Sequence, residues 1–320
     1  MSKKPVLLDL IICRIPGLRG KEKIELVKKF DRDDDIFTLS MKDIESITGR
    51  VFRGKLWKME DIKTMAEKDL AEAHKLGILM VSYRNENYPP LLREIFDPPA
   101  MLFYRGALPN PEKPIAAIVG TRKPSSQASG RAFAFGRELG QAGIPVVSGL
   151  ALGVDSMAHR GNLDARAPTV AVLGSGPDTV YPTSNRALAR RILETGGLLL
   201  SEYAPGTEPF KAHFPARNRI ISALARGVLI VEAPEKSGAL ITAAFALEQG
   251  RDLWVDGTLV SSPQSAGTGR LAEDGAKLIS SAEDILAEWN MSGLTSRKDN
   301  DVTSGAGLAS SMAEYLDIRI

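Results

Sequence analysis

The chain has very little cysteine or histidine. Cys13 is the single cysteine among 320 residues, and the three histidines, His74, His159 and His213, stand far apart. No disulfide framework or cysteine/histidine zinc site can be assembled within one chain, so no metal is expected. The same scarcity points to a cytoplasmic protein. Apolar runs are short too. Lys3 and Lys4 before Val6-Leu-Leu-Asp-Leu-Ile-Ile12 imitate a signal peptide, but Asp9 interrupts the run and no small-residue cleavage site follows. No stretch has the length of a membrane span, so no membrane partner is expected.

Excess charge is missing as well. Lys and Arg total 41 against 39 Asp and Glu, a formal net charge of +2. Any attraction for nucleic acid must therefore come from where the charges sit. Between Ile115 and Gly250 basic residues outnumber acidic ones, and many fall at expected strand ends or helix starts.

Residues 1–76 read as a small helical domain, with apolar positions at helical spacing in Lys23-Ile-Glu-Leu-Val-Lys-Lys-Phe30 and Met41-Lys-Asp-Ile-Glu-Ser-Ile47. Ile15-Pro-Gly-Leu-Arg-Gly20 suits either a helix-hairpin-helix turn or a plain turn between packed helices. Residues 77–112 form a connecting segment, with a short strand at Gly77–Ser82 and paired prolines that fix extended backbone. From 113 to 290 short apolar runs alternate with helix-length segments. Strands are expected at Ile115–Val119, Pro145–Ser148, Thr169–Leu173, Leu198–Ser201, Val228–Val231 and Asp252–Val255. That alternation specifies an α/β fold, a Rossmann-like doubly wound parallel sheet preceded by the helical domain. Residues 291–320 are polar and rich in Ser, Gly and Asp, and read as a flexible tail.

In such sheets ligands bind beyond the carboxyl ends of the strands. A dinucleotide fingerprint is absent there: Gly120-Thr-Arg-Lys-Pro-Ser125 is not a three-glycine turn, and Ser148 stands where a ribose-binding carboxylate belongs. No Walker lysine loop occurs either, and no cofactor is expected. The loops instead carry groups that handle anions. Arg122, Lys123, Lys211, Arg217 and Arg219 approach one rim, while Gly149, Gly153, Gly174, Gly176 and Gly238 leave amides accessible. Phe214 offers a stacking ring, and Asn218 can hold a loop or read a base edge. Lys211 to Arg219 taken alone also suits a solvated basic helix start; convergence at one sheet edge favours a ligand carrying phosphates and bases.

Catalytic groups are harder to assemble. Asp155 and His159 lie four apart on an expected helix near Ser148, but no nucleophile elbow marks a serine, and structural hydrogen bonding is the expected role. Glu202 and Glu232 could be paired acids, or partners for the rim arginines; the second is preferred because an unpaired buried cation is costly.

The ordered set Val119-Gly-Thr-Arg122, Val147-Ser-Gly-Leu-Ala-Leu-Gly-Val-Asp155, Tyr181-Pro182, Leu200-Ser-Glu202, Phe214-Pro-Ala-Arg-Asn-Arg-Ile-Ile221, Val231-Glu-Ala233 and Ser237-Gly-Ala-Leu-Ile-Thr-Ala243 resembles the DNA-processing protein A (DprA/Smf) family. The helical N-terminus resembles that family's sterile-alpha-motif-like (SAM-like) domain. The resemblance implies a non-enzymatic protein that binds single-stranded DNA, forms a homodimer, and loads RecA recombinase on incoming DNA in natural transformation. It carries the DNA pocket over to Gly120, Thr121, Arg122, Lys211, Phe214, Arg217, Asn218, Arg219, Ser237 and Gly238. It implies no room for the winged helix of some members. Val255-Asp-Gly257 departs from the family's valine-proline-glycine. The alternative is a nucleotide-processing hydrolase of a related superfamily, using Glu202, Glu232 or Glu248.

Overall fold

The computed structural model describes residues 6–31, 33–51 and 57–291. The expected tail, apart from Met291, lies outside the described residues. The described residues fall into two compact units, those within Met1–Arg105, Gly174–Thr179 and Leu200–Phe210, and those within Gly106–Leu173, Val180–Leu199 and Lys211–Ile320.

The first unit opens with α1 (Val6–Arg14), α2 (Gly20–Lys29), α3 (Asp33–Phe37), α4 (Met41–Thr48) and α5 (Met59–Lys75). An antiparallel pair follows, β1 (Leu79–Ser82) with β2 (Met101–Gly106), around the short α6 (Pro90–Arg93). The apolar residues on either side of Asp9 are core residues, among them Leu8, Leu10, Ile11 and Ile12. Asp9 is buried with them because Arg84 reaches it at 2.9 Å through Nε, and the same guanidinium donates to Asp31 at 2.8 Å and to the Phe30 carbonyl at 2.8 Å. The acid that breaks the apolar run thus ties α1 to the end of α2.

Ile15–Arg19 forms the turn between α1 and α2. The amides at the start of α2 face carboxylates of the chain itself: Arg19 N donates to Glu22 Oε2 at 2.6 Å and Lys21 N to Asp97 Oδ1 at 3.3 Å. Gly20 is needed for this approach, since a Cβ there would stand 2.5 Å from Asp97 Oδ1 and 2.7 Å from the Pro98 carbonyl.

Cys13 also lies in this unit. Burial of its sulfur pushes the thiol up to about 12, and the thiolate is the reactive form. Thiol reagents at pH 8 are expected to label Cys13 only after unfolding; stoichiometric labelling of the native protein, read by mass spectrometry, would contradict this.

The second unit contains β3 (Ala116–Val119), α7 (Ser126–Gln141), β4 (Val146–Ser148), α8 (Val154–Asp164), β5 (Val170–Val172), α9 (Arg186–Glu194) and the start of β6 (Leu198–Ser201). Then come α10 (His213–Leu224), β7 (Gly227–Ile230), α11 (Gly238–Glu248), β8 (Asp252–Asp256), α12 (Ala266–Glu273), β9 (Lys277–Ile279) and α13 (Ala282–Glu288). Every residue of β3, β4, β5 and β7 is buried, which is why these strands read as unbroken apolar runs. They pair in parallel in the order β5-β4-β3-β7-β8-β9. The chain first winds outward from β3 to β5, then returns to β3's other side and winds out through β7 to β9. Right-handed crossovers in opposite directions put helices on opposite faces, and the reversal between β3 and β7 opens a crevice at their carboxyl ends.

Asp256 ends β8 where the resemblance expects proline. It is fully buried and accepts from Arg131 Nε at 2.7 Å and Nη2 at 3.0 Å, from Thr258 N at 3.0 Å and from Thr258 Oγ1 at 2.7 Å. Arg131 also donates to Ser280 O at 2.7 Å. One carboxylate therefore joins α7 to the turn after β8, while its arginine reaches the turn after β9.

Candidate nucleic-acid interface

The crevice at the β3/β7 reversal is built from three loops and one helix. β3 is followed by Gly120, where a Cβ would meet the Val154 side chain at 2.6 Å and the Glu232 carbonyl at 2.9 Å. Thr121 N donates to Glu232 O at 2.7 Å, which joins the loops after β3 and β7. Arg122 follows on the surface, its guanidinium carbon 5.7 Å from the centre of the Phe214 ring. Phe214, in the first turn of α10, also meets Tyr181 with ring centroids 5.5 Å apart and planes tilted by 44°. Tyr181 is 47% exposed, so the pair presents aromatic surface to solvent beside a cation. Lys211, just before α10, is exposed, and neither it nor Arg122 has a carboxylate partner among the described residues.

Arg217 and Asn218 brace the crevice from α10. Arg217 is 4% exposed; its Nη1 donates to the Gly149 carbonyl at 2.7 Å and to the Val172 carbonyl, at the ends of β4 and β5. The guanidinium lies flat against Gly149, where any Cβ would fall 2.5 Å from Nη2. Arg217 Nε donates to Asn218 Oδ1 at 3.2 Å, and Asn218 Nδ2 donates to Gly238 O at 3.2 Å. This relay links the ends of β4 and β5 to the start of α11. Arg219 is half-buried, with Nη1 on the Ala216 carbonyl at 3.0 Å. Ser237 caps α11 by accepting from Ala239 N at 3.3 Å, and the space where Gly238 would carry a Cβ is open.

Of the acids considered as catalysts, Glu232 and Asp155 are committed to donors of the chain itself. Glu232 is fully buried and accepts from Ser125 N at 2.8 Å and Ser125 Oγ at 2.9 Å at the start of α7. Glu248 is exposed at the end of α11, and Glu202 belongs to the first unit. Asp155 accepts from Gly149 N at 3.1 Å and Ala151 N at 3.4 Å, and desolvation holds it above the usual carboxylate range. Ser148 Oγ donates to Ile118 O at 2.7 Å. His159 Nδ1 lies 2.8 Å from Thr169 Oγ1, whose single proton goes to Val146 O at 2.6 Å. The hydroxyl must then accept from His159, which places the ring proton on Nδ1 and leaves Nε2 an acceptor with no partner among the described residues. Ser148 and His159 do not form a nucleophile and base.

Burial, with a smaller effect of Arg217, lowers His159 from 6.5 to about 3. The unfolded chain binds this proton below about 6.5 and the native one does not, so the contribution to stability is complete above that pH and is lost as pH falls toward about 3. Asp155 acts in the opposite sense, favouring the native state at low pH and less so above its unfolded value. Urea midpoints should decline from pH 7 to pH 4 in the wild type and more gently in His159→Gln. Parallel slopes would contradict the assignment.

Comparison with known proteins decides the family. The family described as DNA recombination-mediator protein A matches residues 79–290. The chain is 36% identical to the DNA processing protein DprA of Bacillus subtilis over 282 residues, 87% of this chain and 94% of that protein. The chain belongs to the DNA recombination-mediator protein A family. The structure of DprA from Streptococcus pneumoniae superposes with a TM-score of 0.73 at 34% identity, covering 89% of this chain and 98% of that one. A Helicobacter pylori DprA structure, described in terms of its single-stranded DNA binding mode, has a TM-score of 0.59 at 32% identity, covering 67% of this chain and 95% of that one.

Within this member of the family the structure brings Arg122 and Phe214 together, joins Asn218 to Gly238, and places Arg217 beneath them on backbone carbonyls. It also adds Tyr181 to the aromatic surface. The sequence marks Tyr181-Pro182 at a strand-end loop, but the partner ring lies 33 residues on, beyond any local pattern. No helix among the described residues is long and apolar enough to cross a membrane.

Proposed function

We propose that this protein binds single-stranded DNA at the β3/β7 crevice, without catalysing a reaction on it, and as a homodimer delivers that DNA to RecA. The observation that carries the binding reading is the Tyr181–Phe214 pair with Arg122 beside it and Lys211 exposed nearby. Aromatic rings accept any base face, and cations without carboxylate partners attract any phosphate, so recognition is tolerant of sequence. The Helicobacter pylori relative supports the choice of single strands over duplex.

Oligonucleotide titration by fluorescence anisotropy tests it. Phe214→Ala should weaken binding by about 1 to 3 kcal/mol through lost stacking. Arg122→Ala and Lys211→Ala should each reduce the slope of log affinity against log salt by about 0.7. Unchanged titrations in all three variants would overturn the site. Its non-catalytic character is supported by Glu232 being committed to Ser125; release of free base from nucleoside monophosphates, abolished by substituting Glu202, Glu232 or Glu248, would replace it with the hydrolase reading. Dimer formation is supported by apolar residues left exposed on the second unit, Ile241 and Leu247 on α11 and Leu278 on β9, and is checked by light scattering. RecA is carried over from the family resemblance and is checked by a pull-down.

A further inference from the structure

Acidic residues are unevenly placed among the helix starts. α2, α4, α5 and α13 each carry one or more in the first turn, as the positive end of the helix dipole favours. α7, α9, α10 and α11 carry none. α9 goes further against the dipole at its start, because its first residue is Arg186; Arg190 and Arg191 follow, the latter in the last turn, where a cation is favoured. All three are exposed, as is Arg160 on α8, and none of the four has a carboxylate partner among the described residues. A first-turn cation with no compensating carboxylate breaks a local rule, and such breaks concentrate where something binds.

Its position says what. The chain runs from Tyr181 through the turn Thr183–Asn185 directly into Arg186. Asn185 is buried, and its Nδ2 donates to Leu150 O at 2.9 Å and Ser156 Oγ at 3.0 Å. The start of α9 is therefore held against the loop after β4, next to the glycine on which Arg217 lies. Leu188, Ala189 and Ile192 pack inward with Leu163 of α8. Arg186 and Arg190, four residues apart, consequently share the outer face of the helix.

We infer that single-stranded DNA leaving the Tyr181–Phe214 pair runs over this outer face of α9, with Arg186 and Arg190 contacting its phosphates outside the crevice. The inference rests on the binding reading above. A phosphodiester backbone fits better than an acidic protein, because the arginines continue without a chain break from the exposed aromatic pair. The contact is electrostatic and carries no sequence preference.

The test uses the full chain and two oligothymidylates, one of about 6 nucleotides that fills the crevice alone and one of about 20 that can extend beyond it. Arg186→Gln/Arg190→Gln should leave the short oligonucleotide's affinity unchanged. For the long one the salt slope should fall by about 1.4, equivalent to roughly 25-fold weaker binding near 0.1 M salt and converging on the wild type near 1 M. Arg186→Lys/Arg190→Lys should retain the wild-type slope, since a phosphate needs only the charge. Equal affinity and slope for the long oligonucleotide in wild type and the glutamine variant would overturn the inference, as would an equal loss for both lengths. Failure of the crevice reading looks different: Phe214→Ala would leave both lengths unchanged while the glutamine variant still weakened the long one.

Discussion

Arg217→Met is expected to destabilise the protein by about 3 to 5 kcal/mol, the usual cost of removing one member of a buried, hydrogen-bonded charge set. Three losses combine. The Gly149 and Val172 carbonyls lose the donor that meets them at the ends of β4 and β5, and a buried acceptor left without a partner is costly. Asp155 loses the neighbouring cation that offsets its desolvation. Asn218 loses the guanidinium that orients it toward Gly238. The urea midpoint should fall accordingly, and the melting temperature by roughly 10 °C, given about 2 to 4 °C per kcal/mol for a domain of this size. Arg217→Lys should not restore it, because an ammonium cannot reproduce the planar contact against Gly149. An unchanged midpoint with lost DNA affinity would instead make Arg217 a ligand contact.

Asp256→Ala should cost about 3 kcal/mol, at the lower end of that range because Arg131 is partly exposed and recovers water when its partner is gone. The Thr258 amide and hydroxyl lose their acceptor at the same time. Asp256→Pro should be no better. Proline is what the family resemblance expects at this position, but here it leaves Arg131 without a carboxylate. Thermal unfolding of both variants checks this; a proline variant as stable as the wild type would show that the arginine contributes nothing.

The sheet was legible because buried parallel strands are continuous apolar runs. β3, β4 and β5 fall within the segments expected from apolar runs, and β7 begins one residue before the expected Val228–Val231. β9 was not, since Lys277-Leu-Ile279 is short and only Ile279 is buried. At the site, charge and ring type were visible but direction was not. Arg122, in the loop after β3, and Arg217, on α10, are the same residue type, yet one stands beside an exposed ring and the other beneath the crevice floor. Arg217's acceptors are backbone carbonyls, which every residue has, so no side chain in the sequence announces them. Tyr181 belongs to a motif that the sequence shows, but its contact with Phe214 exists only after the chain has folded.

The turn before α2 shows how far a motif can stand from a site. Gly20 and its neighbours have the spacing of a phosphate seat, and the seat is occupied by the protein's own anions. Glu22 is close enough to appear in any local window. Asp97 is 76 residues away from the amide it meets. The hairpin is thus an internal salt, electrically closed before any ligand arrives, and a scan for glycine spacing alone would count it as an open one.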